Sequence, residues 1–123
     1  MRPFKTLIVE DNVSFRQTLW EILSARFPSM SIEEAGDGAE ALQKADLFAP
    51  DLVFMDIKLP GENGLQLTRK IKAKYPEVVV IVLTSYDFPE YREEAFHNGA
   101  DRYFVKDWLS WDEVEEFIGC HSA

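Results

Sequence analysis

Several residues with chemically reactive side chains stand directly after apolar stretches that are typical of β-strands. They are three carboxylic acids, a hydroxyl and an amine: Glu10, Asp11, Asp56, Thr84 and Lys106. Carboxylates that lie close together repel one another, so such a group either keeps protons or binds a cation. Oxygen ligands without histidine or cysteine favour a hard ion, and Mg²⁺ is the cation we expect.

The same residues suit phosphoryl transfer to a carboxylate. Mg²⁺ takes few carboxylates and keeps coordination positions for water or phosphate oxygens. Lys106 adds a second positive charge and Thr84 a hydroxyl donor, both of which stabilise the oxygens of a phosphoryl group in transfer. A carboxylate nucleophile gives an aspartyl phosphate. Asp56 is the best candidate because it is central, whereas Glu10 and Asp11 are adjacent and suit metal binding.

Each residue taken alone also has a simpler explanation. The acidic pair could belong to a turn or a helix cap, and Asp56 could bond the amides of the turn that follows it. Thr84 or Ser85 could cap the fourth helix, a role that Asp87 fills at least as well. The lysine could be a solvated surface residue. The combination favours a site, because four strand ends carry complementary chemistry.

These side chains can meet only if the strands are parallel neighbours, and the hydrophobic pattern predicts that arrangement. Short β-rich runs alternate five times with helical periodicity, which indicates a mainly parallel sheet between helices. The third and fourth runs are continuously apolar, as in strands covered on both faces, whereas the second is less apolar and predicts an edge. The predicted strands are 4–9, 31–35, 51–55, 78–83 and 101–105, and the predicted helices lie near 14–26, 37–48, from 63, 88–98 and from 110.

Length and composition limit the class of protein. At 123 residues with 46% hydrophobic side chains, the chain is predicted to form one globular domain. No apolar run approaches the roughly 20 residues of a membrane-spanning helix, and the N-terminus does not have the pattern of a signal peptide. The net charge of −9 argues against direct contact with nucleic acid. The single cysteine, Cys120, excludes an internal disulfide and favours a reducing cytoplasm.

The sequence resembles the receiver domain of two-component response regulators over essentially its whole length. The matching segments are IVEDN, FMDIKLPGENG around Asp56, VLTS with Thr84, and GADRYFVK ending in Lys106, in that order and spacing. The resemblance implies a flavodoxin-like (βα)5 sandwich, with a five-stranded parallel sheet of order 2-1-3-4-5 and helices on both faces. Residues 1–119 would form the receiver domain, and 120–123 a tail or the start of a linker.

The resemblance also implies a role for each residue of the site. Asp56 would accept a phosphoryl group from a sensor histidine kinase, with Mg²⁺, or Mn²⁺ in its place, bound beside it. The remaining roles are metal binding by Glu10, Asp11, Asp56 and the main-chain carbonyl of Lys58, binding of phosphoryl oxygens by Thr84 and Lys106, a switch formed by Thr84 and Tyr103, and access controlled by the small Ser85.

The output would be a change of surface rather than a product. Helix 4, strand 5 and helix 5 would control a homodimer or a C-terminal effector domain that this chain does not contain. The domain would be a switch, not an enzyme, with only self-catalysed phosphorylation and slow dephosphorylation. Lys106-Asp107 is a weak hint of a DNA-binding transcription regulator, and Asp107, where the family often has proline, predicts a trans peptide or local strain. Trp108 and Trp111 are expected to pack against helix 5, and Tyr103 could simply be a half-buried strand aromatic.

Three other functions are compatible with an α/β domain but fit these residues less well. A haloacid-dehalogenase-like phosphatase needs a second acid two residues after the nucleophile, where this chain has Lys58. A flavin-binding flavodoxin needs a hydroxyl-rich phosphate loop after strand 1, where this chain has two acids. The remaining alternative is a protein interaction module on a receiver scaffold that is never phosphorylated, although such a module would usually have lost part of the acid, aspartate and lysine set.

Overall fold

The computed structural model describes residues 4–121, and in this part of the chain five parallel strands form one sheet in the order 2-1-3-4-5. The predicted flavodoxin-like α/β fold and its strand order are therefore confirmed. The strands are β1 Lys5–Val9, β2 Ser31–Ala35, β3 Leu52–Met55, β4 Val79–Thr84 and β5 Arg102–Val105. The helices are α1 Val13–Arg26, α2 Gly38–Phe48, α3 Gly64–Lys74, α4 Pro89–His97 and α5 Trp111–His121.

The sheet divides the apolar interior into two layers. All four residues of β3 are buried, as are the last five of β4, because helices cover both faces of these strands. One layer packs α2 and α3 against the sheet, and the other packs α1 and α5 against the opposite face. The second strand lies at the edge, as its weaker hydrophobic pattern predicted.

Side chains hold the first turns of α1, α2, α3 and α5, and at α5 Ser110 Oγ accepts the Glu113 amide at 3.3 Å. Asn12 Oδ1 accepts the Phe15 amide of α1 at 3.0 Å, and Asn63 Oδ1 accepts an amide at the start of α3 at 2.6 Å. At α2, Asp37 Oδ1 accepts the Glu40 amide at 2.8 Å, and the Glu40 carboxylate accepts a preceding amide in return. The bonds accepted by the cap residues satisfy backbone donors that a helix leaves unpaired. At α2 the return bond from Glu40 goes to the Gly36 amide, one residue before the cap.

The alternative explanation, that Thr84, Ser85 or Asp87 caps α4, does not hold. Phe88 occupies the cap position with extended backbone, its side chain makes no capping bond, and Pro89 opens the helix. Proline at the first helical position fixes where α4 begins, which puts the cap one residue beyond Asp87. The other end agrees with the sequence, since Gly99 follows the helix with a φ of +105°.

The chain leaves β5 through a short 3-10 turn, Lys106–Trp108. No peptide bond within residues 4–121 is cis, so the Lys106–Asp107 bond is trans, one of the two expected outcomes. Trp111 packs against the α1–α5 layer as predicted. The corresponding expectation for Trp108 was wrong, because this side chain is 64% exposed and Leu109 takes the inward position instead.

The last helix continues beyond the predicted domain boundary. Cys120 lies within α5, which extends to His121. The division into residues 1–119 and a tail at 120–123 stays a prediction, and residues 122 and 123 of that tail lie outside the described part. None of the helices in residues 4–121 combines the length and the apolar character that a transmembrane span requires.

Candidate functional site

The sheet register brings the acids of β1 and β3 together. Val9 pairs with Met55, so the residues that follow, Glu10 and Asp56, leave neighbouring strands at the same edge. The Asp56 amide donates to the Val9 carbonyl at 3.1 Å, which extends the ladder up to the acid itself. Both side chains are thus placed by main-chain hydrogen bonds of the sheet rather than by a mobile loop.

Three carboxylates converge at this edge. One oxygen from each of Glu10, Asp11 and Asp56 lies within 4.8 Å of the other two. Glu10 and Asp56 are buried, with exposed fractions of 3% and 7%, whereas Asp11 is exposed. A ligand would therefore meet two carboxylates inside the cluster and one at its solvent side.

Lys106 reaches the same cluster from the end of β5. Its Nζ donates to Glu10 Oε1 at 2.6 Å and to Asp56 Oδ2 at 3.3 Å. The ammonium also lies over the ring of Phe15, 4.3 Å from the centroid. The predicted meeting of the acids with the lysine is present in the geometry.

The pKa of Glu10 reflects its burial and the excess of carboxylates over lysine at this edge. Burial and, more weakly, the negative charge of Asp56 raise the pKa of Glu10 to about 7, against the opposing effect of the Lys106 hydrogen bond. A group with only oxygen donors, excess negative charge and one exposed ligand fits a hard divalent cation such as Mg²⁺. Mn²⁺ suits the same donor set.

The backbone at Asp56 is tightly enclosed. Its Oδ1 accepts the Ile57 amide at 2.7 Å, and the Ile57 carbonyl accepts the Gly64 amide at 2.7 Å. A Cβ atom at Gly64 would lie 1.8 Å from the Asp56 carbonyl oxygen, a distance that no side chain can occupy. The first residue of α3 therefore fixes the main chain of Asp56. The side chain of Lys58 is exposed, and metal binding by its carbonyl stays a prediction.

The predicted switch residues lie on β4 and β5. Thr84 is buried, pairs with Val105 in the sheet, and accepts the Tyr86 amide at Oγ1 at 3.4 Å. Tyr103 is also buried rather than half-buried, at 4% exposure, and its hydroxyl donates to the Tyr86 carbonyl at 2.7 Å. Burial raises the pKa of Tyr103. Ser85, the predicted access residue, is exposed.

Two residues next to the acids were not identified as part of the site from the sequence. Phe15 falls on the apolar face of α1, yet its ring contacts the lysine. Arg16 donates to the Glu10 carbonyl at 2.8 Å and forms an ion pair with Glu34 at 3.4 Å. The sequence carried one signal for these two residues, which is their distance from the cap of α1. Residues one helical turn after a capping residue lie again beside the strand end that precedes the cap.

Comparison with known proteins agrees with this geometry. The family described as response regulator receiver domain matches residues 6–117. The oxygen regulatory protein NreC of Staphylococcus haemolyticus is 37% identical over 83% of this chain and 48% of its own length. The transcriptional regulatory protein LnrK of Bacillus subtilis is 34% identical over 97% of this chain and 54% of its own. The chain thus spans about half the length of these curated relatives.

Solved structures give the same result. The receiver domain of a DNA-binding response regulator from Colwellia psychrerythraea 34H superposes with a TM-score of 0.89 at 26% identity, covering 95% of this chain and 96% of that one. A LuxR-family DNA-binding response regulator from Staphylococcus aureus gives 0.87 at 27% identity, covering 98% and 99%. From the family match, the fold and the acid–lysine cluster together, the chain belongs to the response regulator receiver domain family.

Proposed function

We propose that this domain is a phosphorylation-dependent signalling switch, in which Asp56 accepts a phosphoryl group from a sensor histidine kinase in a Mg²⁺-dependent reaction. The observation that carries the proposal is the convergence of three carboxylates within 4.8 Å, two of which bond the same lysine. Receiver-family membership supports a kinase as the donor. The cytoplasmic location expected from the single cysteine is part of the same proposal.

The reaction forms a bond between an Asp56 carboxylate oxygen and phosphorus while the phosphorus–nitrogen bond of the donor histidine breaks. The electron pair of the broken bond returns to the imidazole. Glu10, Asp11, Asp56 and the Lys58 carbonyl would hold the cation, which would supply positive charge to stabilise the acceptor and the phosphoryl oxygens. Because Asp56 Oδ1 already accepts the Ile57 amide, the carboxylate is held in one orientation for attack.

Lys106 and Thr84 supply the remaining stabilisation. The Lys106 ammonium already contacts Asp56, so it needs only a small movement to bond a phosphoryl oxygen on that residue. When the lysine moves, its hydrogen bond to the Glu10 carboxylate breaks. The Thr84 hydroxyl, at the end of the adjacent strand, is the second donor to the phosphoryl group. The exposed Ser85 leaves room for the donor and for water.

The output surface in this proposal comprises α4, β5 and α5. Thr84 and Tyr103 are both bonded to the main chain of Tyr86, so movement of Thr84 towards a phosphoryl group changes the segment that leads into α4. A homodimer or a C-terminal effector would respond to that change. The names of the relatives, a transcriptional regulatory protein and DNA-binding response regulators, support a DNA-binding effector. The domain catalyses only its own phosphorylation and slow hydrolysis.

Intact mass spectrometry tests the proposal directly. Incubation with acetyl phosphate and Mg²⁺ should add one phosphoryl group to the wild type, none to Asp56→Asn, and none to the wild type after chelation of the metal. Asp107→Asn, which changes an exposed aspartate next to Lys106, should be phosphorylated like the wild type. An unmodified wild type that still binds Mg²⁺ would refute the switch and favour the non-phosphorylated interaction module.

A further inference from the structure

The ammonium of Lys106 has a third neighbour besides its two carboxylates. The ring of Phe15 lies 4.3 Å from Nζ, well inside the roughly 6 Å over which a cation is attracted to an aromatic face. The lysine side chain is only 13% exposed, so water screens this contact weakly. Phe15 thus contacts the one positively charged side chain that bonds both Glu10 and Asp56 in the described structure.

The position of this ring is determined by the same short segment that provides the acids. Glu10 Oε2 accepts the Asn12 amide at 3.1 Å, and Asn12 Oδ1 accepts the Phe15 amide at 3.0 Å. These bonds fix the first turn of α1 relative to the strand end. The side chain also packs against the apolar layer that contains Leu19 and Leu23. A ring that contacts both a packed core and an ammonium has little freedom to turn away.

We propose that Phe15 is a positioning residue for the phosphoryl transfer, holding the Lys106 ammonium beside Asp56 through the face of its ring. This inference rests on the proposed function of Asp56 and Lys106. An aromatic face attracts a cation without acting as a directional hydrogen-bond acceptor. The three N–H donors of the lysine can therefore exchange the Glu10 carboxylate for a phosphoryl oxygen while the ammonium keeps its contact with the ring.

Comparison with an aliphatic side chain shows what the ring contributes. An aliphatic side chain at position 15 would fill the apolar space but would not attract the cation. Lys106 would then be held only by Glu10 at 2.6 Å and Asp56 at 3.3 Å, and its shorter bond is to the carboxylate that does not react. Water would also reach the ammonium more easily. Both effects increase the reorganisation that must precede transfer.

The test compares phosphorylation rates by time-resolved intact mass with acetyl phosphate and saturating Mg²⁺. Phe15→Leu should react about threefold to tenfold more slowly, since a contact of this kind affects the barrier by that factor. Phe15→Tyr keeps an aromatic face and should stay within about twofold of the wild type. Phe27→Leu changes another partly buried phenylalanine of the same apolar layer, at the far end of α1, and should not slow the reaction.

A second readout does not depend on phosphorylation. In protein labelled with ¹³C-lysine, the ε-methylene protons of Lys106 should be shifted upfield by the ring current of Phe15. The signal is assigned by its loss in Lys106→Arg. The upfield shift should persist in Phe15→Tyr and Phe27→Leu and disappear in Phe15→Leu, which would establish the contact of the ring with the lysine independently of the rate.

The outcomes are distinguishable. If Phe15→Leu reacts at the wild-type rate, or Phe27→Leu slows the reaction equally, Phe15 is not a positioning residue. If Phe15→Leu and Phe15→Tyr both react much more slowly than the wild type, Phe15 is again not a positioning residue, because an aromatic face then does not preserve the rate. A wild type with the upfield shift but no phosphorylation would overturn the proposed function, and with it the positioning role, while leaving the contact as a structural feature.

Discussion

The helices α3 and α4 flank the same edge of the sheet but are held very differently. Five residues of α3 are buried, its first turn is capped by Asn63, and Gly64 touches the backbone of Asp56. Only Ala95 is buried in α4, its cap position is Phe88 without a capping bond, and the rings of Tyr86, Phe88 and Tyr91 cluster at its exposed start. One side of the site is fixed, and the other is weakly held.

Under the proposed function, this difference would separate the chemistry at Asp56 from the response of the output surface. The acceptor carboxylate needs a fixed position, since phosphoryl transfer depends on alignment of the reacting atoms. The responding segment needs a small free-energy difference between two packings, so that a new charged group can shift their populations. Elements with few buried side chains are those that open or repack at the lowest cost. We therefore expect α4 rather than α3 to move on phosphorylation.

The largest expected change in stability comes from adding one carbon at Gly64, on the α3 side of the site. Gly64→Ala places a Cβ where only 1.8 Å separates it from the Asp56 carbonyl oxygen, so α3 or β3 must shift. We expect a loss of about 3 kcal/mol or more in the free energy of unfolding, as for severe overpacking. Urea denaturation measures this loss, and circular dichroism shows whether the variant folds.

Gly119→Ala is the matched control for that substitution. A Cβ at Gly119, within α5, meets no atom within 4 Å. Alanine favours a helix more than glycine does, so this variant should gain about 0.5–1 kcal/mol. If Gly64→Ala were as stable as the wild type, the proposed rigidity at Asp56 would be wrong, and α3 would yield as easily as α4.

A smaller change in the free energy of unfolding should accompany the titration of Glu10. Its pKa is raised from 4.5 to about 7, so the folded state binds the proton more tightly than the unfolded chain does. The stabilising contribution of the protonated form is complete below pH 4.5 and is lost as pH rises through about 7. In the presence of a chelator, this loss should amount to about 1–3 kcal/mol between pH 5 and pH 8.

The measurement is the pH dependence of urea denaturation for the wild type and Glu10→Gln. The glutamine variant has no charge to gain and should show a flatter profile. Glu33→Gln, which changes an exposed glutamate on the edge strand, should keep the wild-type profile. Adding Mg²⁺ at pH 8 should restore stability to the wild type. Parallel profiles for the wild type and Glu10→Gln would show that Glu10 is not the titrating group.

The smallest expected change in stability is confined to the region around α4, the weakly held side of the site. Tyr103→Phe removes the 2.7 Å hydrogen bond to the Tyr86 carbonyl, at a cost of about 1 kcal/mol. Hydrogen exchange should become faster for amides from Tyr86 into the start of α4 and stay unchanged in α3. Tyr75→Phe, which removes a hydroxyl contact with Asp46 beyond the end of α3, should not change exchange in α4. Equal changes in both helices would contradict the division between them.

The parts of the fold that follow from periodicity were predicted well. Continuous apolar runs identified β3 and β4, and the acidic capping box identified α2, because both signals are local. The order of the strands came from the family resemblance. The convergence of Glu10, Asp56 and Lys106 was also expected, since parallel strands end at one edge of the sheet.

The errors arise where a neighbouring residue or a tertiary contact outweighs the preference of a single residue. Asp87 is a good capping residue, but Pro89 sets the start of α4 so that Phe88 occupies the cap. Trp108 is apolar, yet the turn after β5 directs Leu109 inwards instead. The contact of Phe15 with Lys106 joins residues from opposite ends of the chain, which no local pattern encodes.

The bonded segment from Glu10 to Arg16 also limits how such a domain could be redesigned. Asn12 accepts the Phe15 amide while its own amide bonds Glu10, and Arg16 bonds the Glu10 carbonyl. Inserting or deleting one residue here would rotate the following helix by about 100°, so the cap, the ring and the guanidinium would all lose their partners at once. A protein engineer who transplants this acidic site into another α/β scaffold must therefore move residues 10–16 as a single block.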